Sequence, residues 1–521
     1  MDKYAKPTPV STLKELIDFN ARDYGDKPLY RYKANKEIHE FSYNQVKQSV
    51  EALGTAFAEM GLMGQNIAVI GDANPYYMVT YFAAANGGGA AVPLDKELDP
   101  KTVAAFMDIA DARLIVYTES FNKKMPEIAQ YTTKTQYFVP IVANPELMPS
   151  ESFISLDSLL EKGKAALENG NRAFVDCEID VDKPAAMIFT SGTTGTSKCV
   201  LLSQKNLVSN ANACVEATHF CNDDTFVSVL PMNHSYEVTT EHLALSRFGC
   251  TTFLNDSIKN ALKNFAFVKP TSLLLVPLFV ETIHKRIWMT IDKKGKRKTV
   301  EAAIKFSNAL RKVGIDSYEG SGITECSPLV AVNPYKKKKL GSVGPAVLCC
   351  EVRIDKQPED ETGEILVKGD NVMLGYLNNP EANAEVFTED GWFRTGDLGY
   401  MDKDGYIYIT GRKKNLIILS NGKNVFPEEL EEHLSHNEIV GESVVIARKN
   451  DAGEILITAV IYPNQDLAVG KSEDEIHDMV KSAVDATNKS LPMFKHIQAF
   501  DIRDTEFEKT TTRKIKRFLV K

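Results

Sequence analysis

Between about residue 60 and residue 300, short apolar runs alternate with stretches whose apolar residues recur at helical spacing. Asn66–Ile67–Ala68–Val69–Ile70 reads as a buried strand, and residues 75–85 as the helix that follows it. Ala91–Val92–Pro93–Leu94 is the next strand. Ala185–Ala186–Met187–Ile188–Phe189 is another, and it runs into a loop of glycine, serine and threonine. This alternation predicts an α/β fold, with layers around mostly parallel sheets. From about residue 341 the pattern changes to short β segments with turns, at 363–367 and 405–409. After Arg412–Lys413–Lys414–Asn415 a compact stretch mixes strands (443–447, 455–462) with amphipathic helices (428–434, 474–488). The expectation is a large layered domain over residues 1–411, with a β-barrel-like portion at its end, and a small α+β domain over 412–521.

A chain of 521 residues is too long for one core, which fits two domains. Its net charge of −9 argues against a general nucleic-acid binder. The basic runs are local: Lys293–Lys294–Gly295–Lys296–Arg297–Lys298 and Lys336–Lys337–Lys338–Lys339 read as solvated loops. Their second reading is a patch for an anionic membrane or an acyl-carrier protein. No stretch approaches the ~20 apolar residues of a membrane span, and Met1–Asp2–Lys3–Tyr4 does not open a signal peptide. Eight cysteines without a CxxC pair and nine histidines without ligand spacing fit a reducing, cytoplasmic setting and no structural metal site.

The first chemical signal is Thr190–Ser191–Gly192–Thr193–Thr194–Gly195–Thr196–Ser197–Lys198, set between two strands. Its glycines let the backbone turn tightly and aim N–H groups inward. Its hydroxyls add donors, and its lysine adds a point charge. Those are the parts of a polyphosphate cradle. It is not a Walker A loop, because GxxxxGK[ST] is not matched. A flexible surface turn is the plainer reading, and so much of this composition directly after a buried strand weighs against it.

This loop resembles the phosphate loop of the acyl-adenylate-forming superfamily, and the resemblance runs from about residue 10 to 521. Further motifs fall in the family's order. Leu230–Pro231–Met232–Asn233–His234–Ser235–Tyr236–Glu237 is similar to the histidine segment near the acyl pocket. Ile323–Thr324–Glu325 is similar to the acidic loop, and Trp392–Phe393–Arg394–Thr395–Gly396–Asp397 to the ribose-binding stretch. Thr410–Gly411–Arg412–Lys413–Lys414 resembles the hinge. Lys509–Thr510–Thr511–Thr512–Arg513–Lys514–Ile515 resembles the C-terminal lysine motif, with Arg513 where a glycine is usual. Residues 233–237 and 320–328 look most like the fatty acyl-CoA synthetase branch.

The resemblance implies a two-step reaction. A fatty acid carboxylate attacks the α-phosphate of ATP, and coenzyme A then displaces AMP. It implies that Thr190, Ser191, Gly192, Thr193, Thr194, Gly195 and Lys198 hold phosphates, and that Gly322 and Thr324 line the nucleotide site beside the α-phosphate. Glu325, with Thr194, would hold Mg²⁺. Asp397 and Arg412 would take the ribose, and Lys514 would reach in from the small domain during adenylation. His234 would face the acyl group. Lys414 would be the hinge, and Gly422 and Lys423 would face the pantetheine. An acyl-carrier protein is the alternative thiol, and a degenerate adenylate-binding protein the alternative of another class.

Two departures bear on that last reading. The family stacks an aromatic residue on adenine before Gly-x-Thr-Glu, where this chain has Ser321. Loss of such a stack costs roughly 1–3 kcal/mol. In addition, residues 300–313 read as a helix, which leaves only Gly314–Ile315–Asp316–Ser317 before Tyr318. There is no room for the strand that should deliver the acidic loop, nor for a Gly-Gly-Ala/Glu-Pro loop against adenine. The expectation is an internal deletion that impairs or abolishes adenylation, and folding with it if a central strand is lost.

Overall fold

A computed structural model of the chain describes residues 4–34, 37–190, 197–299, 318–419, 423–450, 453–510 and 515–520. The centre of the large domain is a seven-stranded sheet. Asn66–Ile70 lies between Ala91–Leu94 and Ala112–Tyr117, with Tyr137–Pro140 outermost on one side; these four strands run parallel. Pro184–Thr190 continues the parallel set beside Ala91–Leu94. Lys198–Ser203 then turns back antiparallel, and Gly375–Tyr376 caps that edge. The central strands are buried on both faces, which is why they read as unbroken apolar runs rather than alternating ones.

Helix Pro75–Asn86 begins at Asn74, whose side chain accepts from the Tyr76 N–H, and Pro75 occupies the first turn, where its missing N–H leaves no bond unmade. Every residue of it except Tyr76 is buried, so it is a core helix without a polar face. Outside it, helix Tyr43–Glu59 starts in a capping box between Ser42 and Gln45 and packs against Leu156–Glu168. The two backbones touch at Gly163, where a Cβ would stand 1.8 Å from the Ala52 carbonyl oxygen.

A second sheet carries Glu37–Ser42, Pro28–Ala34, Thr251–Leu254 and Thr225–Ser228 in that order, the last three parallel. Among the described residues it ends at Thr225–Ser228. Beyond that edge, the Thr271 and Ser272 N–H groups donate to the Thr225 carbonyl, but residues 271–276 form no strand. The predicted helix over 300–313 lies outside the described residues. A four-stranded antiparallel sheet follows, Cys350–Asp355, Gly363–Gly369, Phe393–Met401 and Ile407–Arg412. The strand expected from residue 405 starts two residues later, because 402–405 is a tight turn closed by the Gly405 N–H on the Asp402 carbonyl.

The small C-terminal domain has its own core. Strands Val440–Lys449, Ile455–Pro463 and Ala499–Ile502 carry helices Pro427–Ser435 and Glu473–Lys489, and Leu430, Leu434, Val445, Ile457 and Val480 are buried together. The fold is therefore a mixed α/β arrangement, with a large N-terminal and a small C-terminal domain. Basic residues near the C-terminus are tied into the fold. Arg517 bonds both Glu431 oxygens at 2.6 Å and the Val445 carbonyl at 2.9 Å. Within the Lys336–Lys339 run, Lys339 pairs with Asp402 and Asp404 at 2.6 and 2.7 Å.

Gly163→Ala should lower stability by about 1–3 kcal/mol, since both neighbours at that contact are backbone and one helix must move. Chemical denaturation reads this, and an unchanged midpoint would mean the helices separate freely.

Candidate active site

Two groups of side chains meet at residues 320–325. The first gathers around Tyr376. Lys198, opposite Thr190 at the base of the phosphate loop, places its ammonium 4.6 Å from the centre of the Tyr376 ring. Tyr376 lies opposite Val200 on the neighbouring strand, and its hydroxyl donates to Glu325 Oε1 at 2.9 Å. Burial and then the Glu325 charge push this phenol well above its ordinary value, so it remains a donor. The Met373 N–H binds the Glu325 carbonyl at 2.8 Å, so residues 373–376 hold the acidic loop by both its backbone and its side chain. Thr324 receives a hydrogen bond from Ser235 at 3.4 Å, which brings in the histidine segment; His234 beside it is half-buried.

The acidic loop does not follow a central strand, as the resemblance implied. Gly320–Gly322 is a short strand antiparallel to Leu329–Val332, and Thr324–Cys326 is a single 3-10 turn. Gly322 is required there, because a Cβ would come within 2.3 Å of the Pro328 carbonyl oxygen. On its other side the loop borders a cavity lined by Ser321, Gly322, Ile323, Thr395, Asp397 and Ile409, among others. Asp397 and Arg412 face each other across the antiparallel pair and are bonded at 2.7 Å. Among the described residues lining that cavity, no aromatic ring replaces the one missing at 321. The nearby Tyr318 is engaged with Tyr335 and Phe220, its ring centre 6.1 and 5.8 Å from theirs.

Glu325 accepts only at Oε1 among the described residues, which leaves Oε2 for a hard cation. Those residues contain no group of three potential metal ligands. One carboxylate plus ligand phosphates is the arrangement Mg²⁺ commonly takes. No helix starts at Lys198. The flanks are two antiparallel strands, so Lys198 does not stand at a helix N-terminus. Residues 191–196, and with them Ser191, Gly192, Thr193, Thr194 and Gly195, lie outside the described residues, as do Gly422 and Lys514. The positions flanking Lys514 are held in place: Lys509 is bonded to Glu442 and Glu506, and the Lys516 N–H to the Glu508 carbonyl. Lys414 lies in a single turn, Lys413–Asn415, and the Lys423 ammonium sits 4.4 Å from the Phe494 ring centre.

Tyr376 escaped the sequence reading. Its role follows from strand register, and the Gly375–Tyr376 pair has no spacing that announces it. Also unread was the cluster just after the histidine segment. Residues Glu237–Ala244 form a wide π-helix that buries Glu237, Glu241 and His242. Burial raises Glu237 to about 8 and lowers His242 to about 3, so their 3.8 Å contact joins two neutral groups at pH 7. The Ser228 hydroxyl donates to Glu237, and the Tyr30 hydroxyl lies 3.3 Å from His242 Nδ1.

With this geometry established, the chain can be compared with known proteins. Residues 17–377 match the family described as AMP-binding enzyme, and residues 414–520 the AMP-binding enzyme C-terminal domain; the chain belongs to the AMP-binding enzymes. Indoleacetate–CoA ligase of Aromatoleum aromaticum is 30% identical over 475 residues, covering 87% of this chain and 88% of its own. 4-Coumarate–CoA ligase 1 of Arabidopsis thaliana is 28% identical, covering 91% and 87%. The long-chain-fatty-acid–CoA ligase FadD15 of Mycobacterium bovis is 25% identical, covering 97% and 94%. That last alignment spans 586 positions, more than this chain's 521 residues, so the relative has stretches with no counterpart here. In fold, ATP-bound MatB from Rhodopseudomonas palustris matches with a TM-score of 0.76 at 24% identity, covering 97% of this chain and 98% of its own. An anthranilate CoA ligase, AuaEII, solved with anthranoyl-AMP, matches with 0.80 at 18%, covering 99% and 97%.

A carboxyl that ionises near 4.5 in the unfolded chain and near 8 in the folded one gives the folded chain an extra proton between those values. Its stabilisation is complete below the lower value and is lost as pH rises to the upper one. Folding stability should therefore fall by on the order of a few kcal/mol between pH 5 and pH 8, read as a falling melting temperature, and Glu237→Gln should flatten that fall. Equal slopes for the two proteins would mean Glu237 is ionised in the fold.

Proposed function

We propose that the protein is an AMP-forming acid–thiol ligase that activates a fatty acid and transfers it to coenzyme A. The observation carrying this is the convergence of Lys198, Tyr376, Glu325, Thr324 and Ser235 on one side of residues 320–325, with Asp397 and Arg412 on the other. In the first step a carboxylate oxygen bonds to the α-phosphorus of ATP, the bond to the β-phosphate bridge breaks, and pyrophosphate leaves. Two anions must approach, so positioned positive charge supplies most of the catalysis. Lys198 and the loop hydroxyls would bind the β- and γ-phosphates. Glu325, with Thr194, would hold Mg²⁺, which would offset their charge. Tyr376 orients Glu325, Thr324 sits beside the α-phosphate, and Lys514 neutralises it from the small domain. Asp397, itself oriented by Arg412, accepts from the ribose hydroxyls.

In the second step the thiol sulfur bonds to the acyl carbon, the bond to AMP oxygen breaks, and the thiol proton passes to solvent. The family's domain rotation about Lys414 would bring Gly422 and Lys423 to the pantetheine. The fatty-acid assignment rests on residues 233–237 and 320–328 and on the likeness to the mycobacterial ligase along nearly the whole chain. A carrier-protein thiol is the alternative acceptor, and a cytoplasmic setting fits either. The second reading, a protein that keeps an adenylate site but adenylates poorly or not at all, is favoured by Ser321 and by the second sheet ending, among the described residues, at Thr225–Ser228.

Purified protein with Mg²⁺-ATP should release pyrophosphate when given carboxylic acids, with fatty acids preferred over indoleacetate and coumarate, and Lys514→Ala should abolish the release. Adding coenzyme A should yield the acyl thioester by mass spectrometry. Preference for an aryl acid would overturn the substrate; no release from folded protein would overturn the activity. Separately, Ser321→Tyr should tighten ATP binding by about 5- to 150-fold, the stacking energy restored. An unchanged dissociation constant would mean adenine does not lie against residue 321.

A further inference from the structure

Residues 258–298 carry ten lysines and arginines against two carboxylates, in a chain whose net charge is −9. Helix Ala261–Val268 turns Ala261, Asn264, Phe265 and Val268 inward onto Val227, Val229 and Phe253. Its Asn264 is fixed by Lys33, Asn255 and Asp256 at 2.6–2.8 Å, which sets which face looks outward. That outward face and the turn before it present Ile258, Lys259, Leu262, Lys263 and Phe267, all exposed, Phe267 to 61%. Helix Pro277–Lys293 lies against the same cluster through Phe279, whose ring centre is 6.3 Å from that of Phe265. None of its described side chains is buried, and Val280 and Ile287, two turns apart on one stripe, are half in water. Beyond its end, Lys293, Lys294, Lys296 and Lys298 are exposed.

We propose that this face, the outer sides of helices Ala261–Val268 and Pro277–Lys293, docks the protein peripherally on anionic lipid bilayers. Apolar side chains interleaved with lysines suit the bilayer interface, where the apolar tips enter the acyl boundary and the ammonium groups stay at the lipid phosphates. A second copy is disfavoured by charge, since a two-fold interface would set one basic face against another. An acidic carrier protein would satisfy the lysines but has no need of five large apolar side chains spread over two helices. The described residues contain no helix long and apolar enough to cross a membrane, so the contact is superficial. The local carboxylates do not neutralise the face: Asp256 is held by Asn260 and Asn264, and Asp292 by Arg297. This surface is independent of which acid the active site activates.

The test is co-sedimentation of the full chain with vesicles of phosphatidylcholine alone, or mixed with phosphatidylglycerol. Binding should appear with the mixed vesicles and weaken with salt. Lys259→Glu with Lys263→Glu should reduce partitioning at least tenfold, taking about 1 kcal/mol per basic residue. Phe267→Ser with Ile287→Ser should weaken it independently; the lysine variant should melt like the parent, and loss of the edge contact of Phe267 with Phe253, 6.3 Å between ring centres, is read separately from the melting temperature. Absence of binding overturns the proposal. So does salt-sensitive binding indifferent to Phe267 and Ile287, which would indicate a general polyanion patch. Capture of an acidic acyl-carrier protein that vesicles do not compete away would overturn it in favour of that partner.

Discussion

The site depends on how residues 373–376 grip Glu325. The Met373 N–H fixes the loop's backbone and the Tyr376 hydroxyl fixes the carboxylate, while the same segment is zipped onto strand Lys198–Ser203. One short piece of chain thus sets the distance between the phosphate-loop lysine and the acidic loop. Without it, Glu325 would stand on a one-turn helix after a three-residue strand, with little to define its direction. Positioning is what joining two anions demands most, because the electrostatic benefit of a cation or a lysine falls away when its partner is free to reorient.

The Asp397–Arg412 pair illustrates the other half of the site. Facing positions on neighbouring antiparallel strands bring the two groups to 2.7 Å without any loop having to fold first. Asp397 is buried and would be a poor place for a lone carboxylate. Arg412 compensates that burial while leaving acceptor capacity for hydroxyl groups. Strand register fixes this pair, whereas Lys198 stands where a strand meets the loop after Thr190, so the two halves of the site rest on different kinds of scaffold.

Much of this was legible beforehand, for identifiable reasons. Strands 66–70 and 185–189 are buried on both faces, so their composition alone marks them. Lys198, Glu325 and Asp397 sit in short motifs whose chemistry is local. Tyr376 was illegible because its partner lies fifty-one residues away and only strand register brings them together. The buried Glu237, Glu241 and His242 were illegible for the opposite reason: a Glu-x-x-x-Glu-His run at helical spacing reads as an exposed polar face. What hides it is the tertiary environment, which keeps all three uncharged. Lys339 was misread because a basic run says nothing of carboxylates arriving from elsewhere in the fold.

The departures in sequence and the exposed apolar helix faces have one physical root. A parallel sheet buried by helices normally continues until its edge is covered. Among the described residues the second sheet stops at Thr225–Ser228, and its edge is met by a non-strand segment held at Thr225, whose carbonyl accepts from the Thr271 and Ser272 N–H groups and whose N–H donates to the Thr271 hydroxyl. Among the described residues, the helix that follows, Pro277–Lys293, has no strand of this sheet beneath it and reaches the core through Phe279. Apolar surface that a longer sheet would have hidden is left facing out. In an uncharged segment that surface would drive self-association. The density of lysines across the same helices opposes this by mutual repulsion, and that repulsion keeps the face available to an anionic surface rather than to another copy of itself.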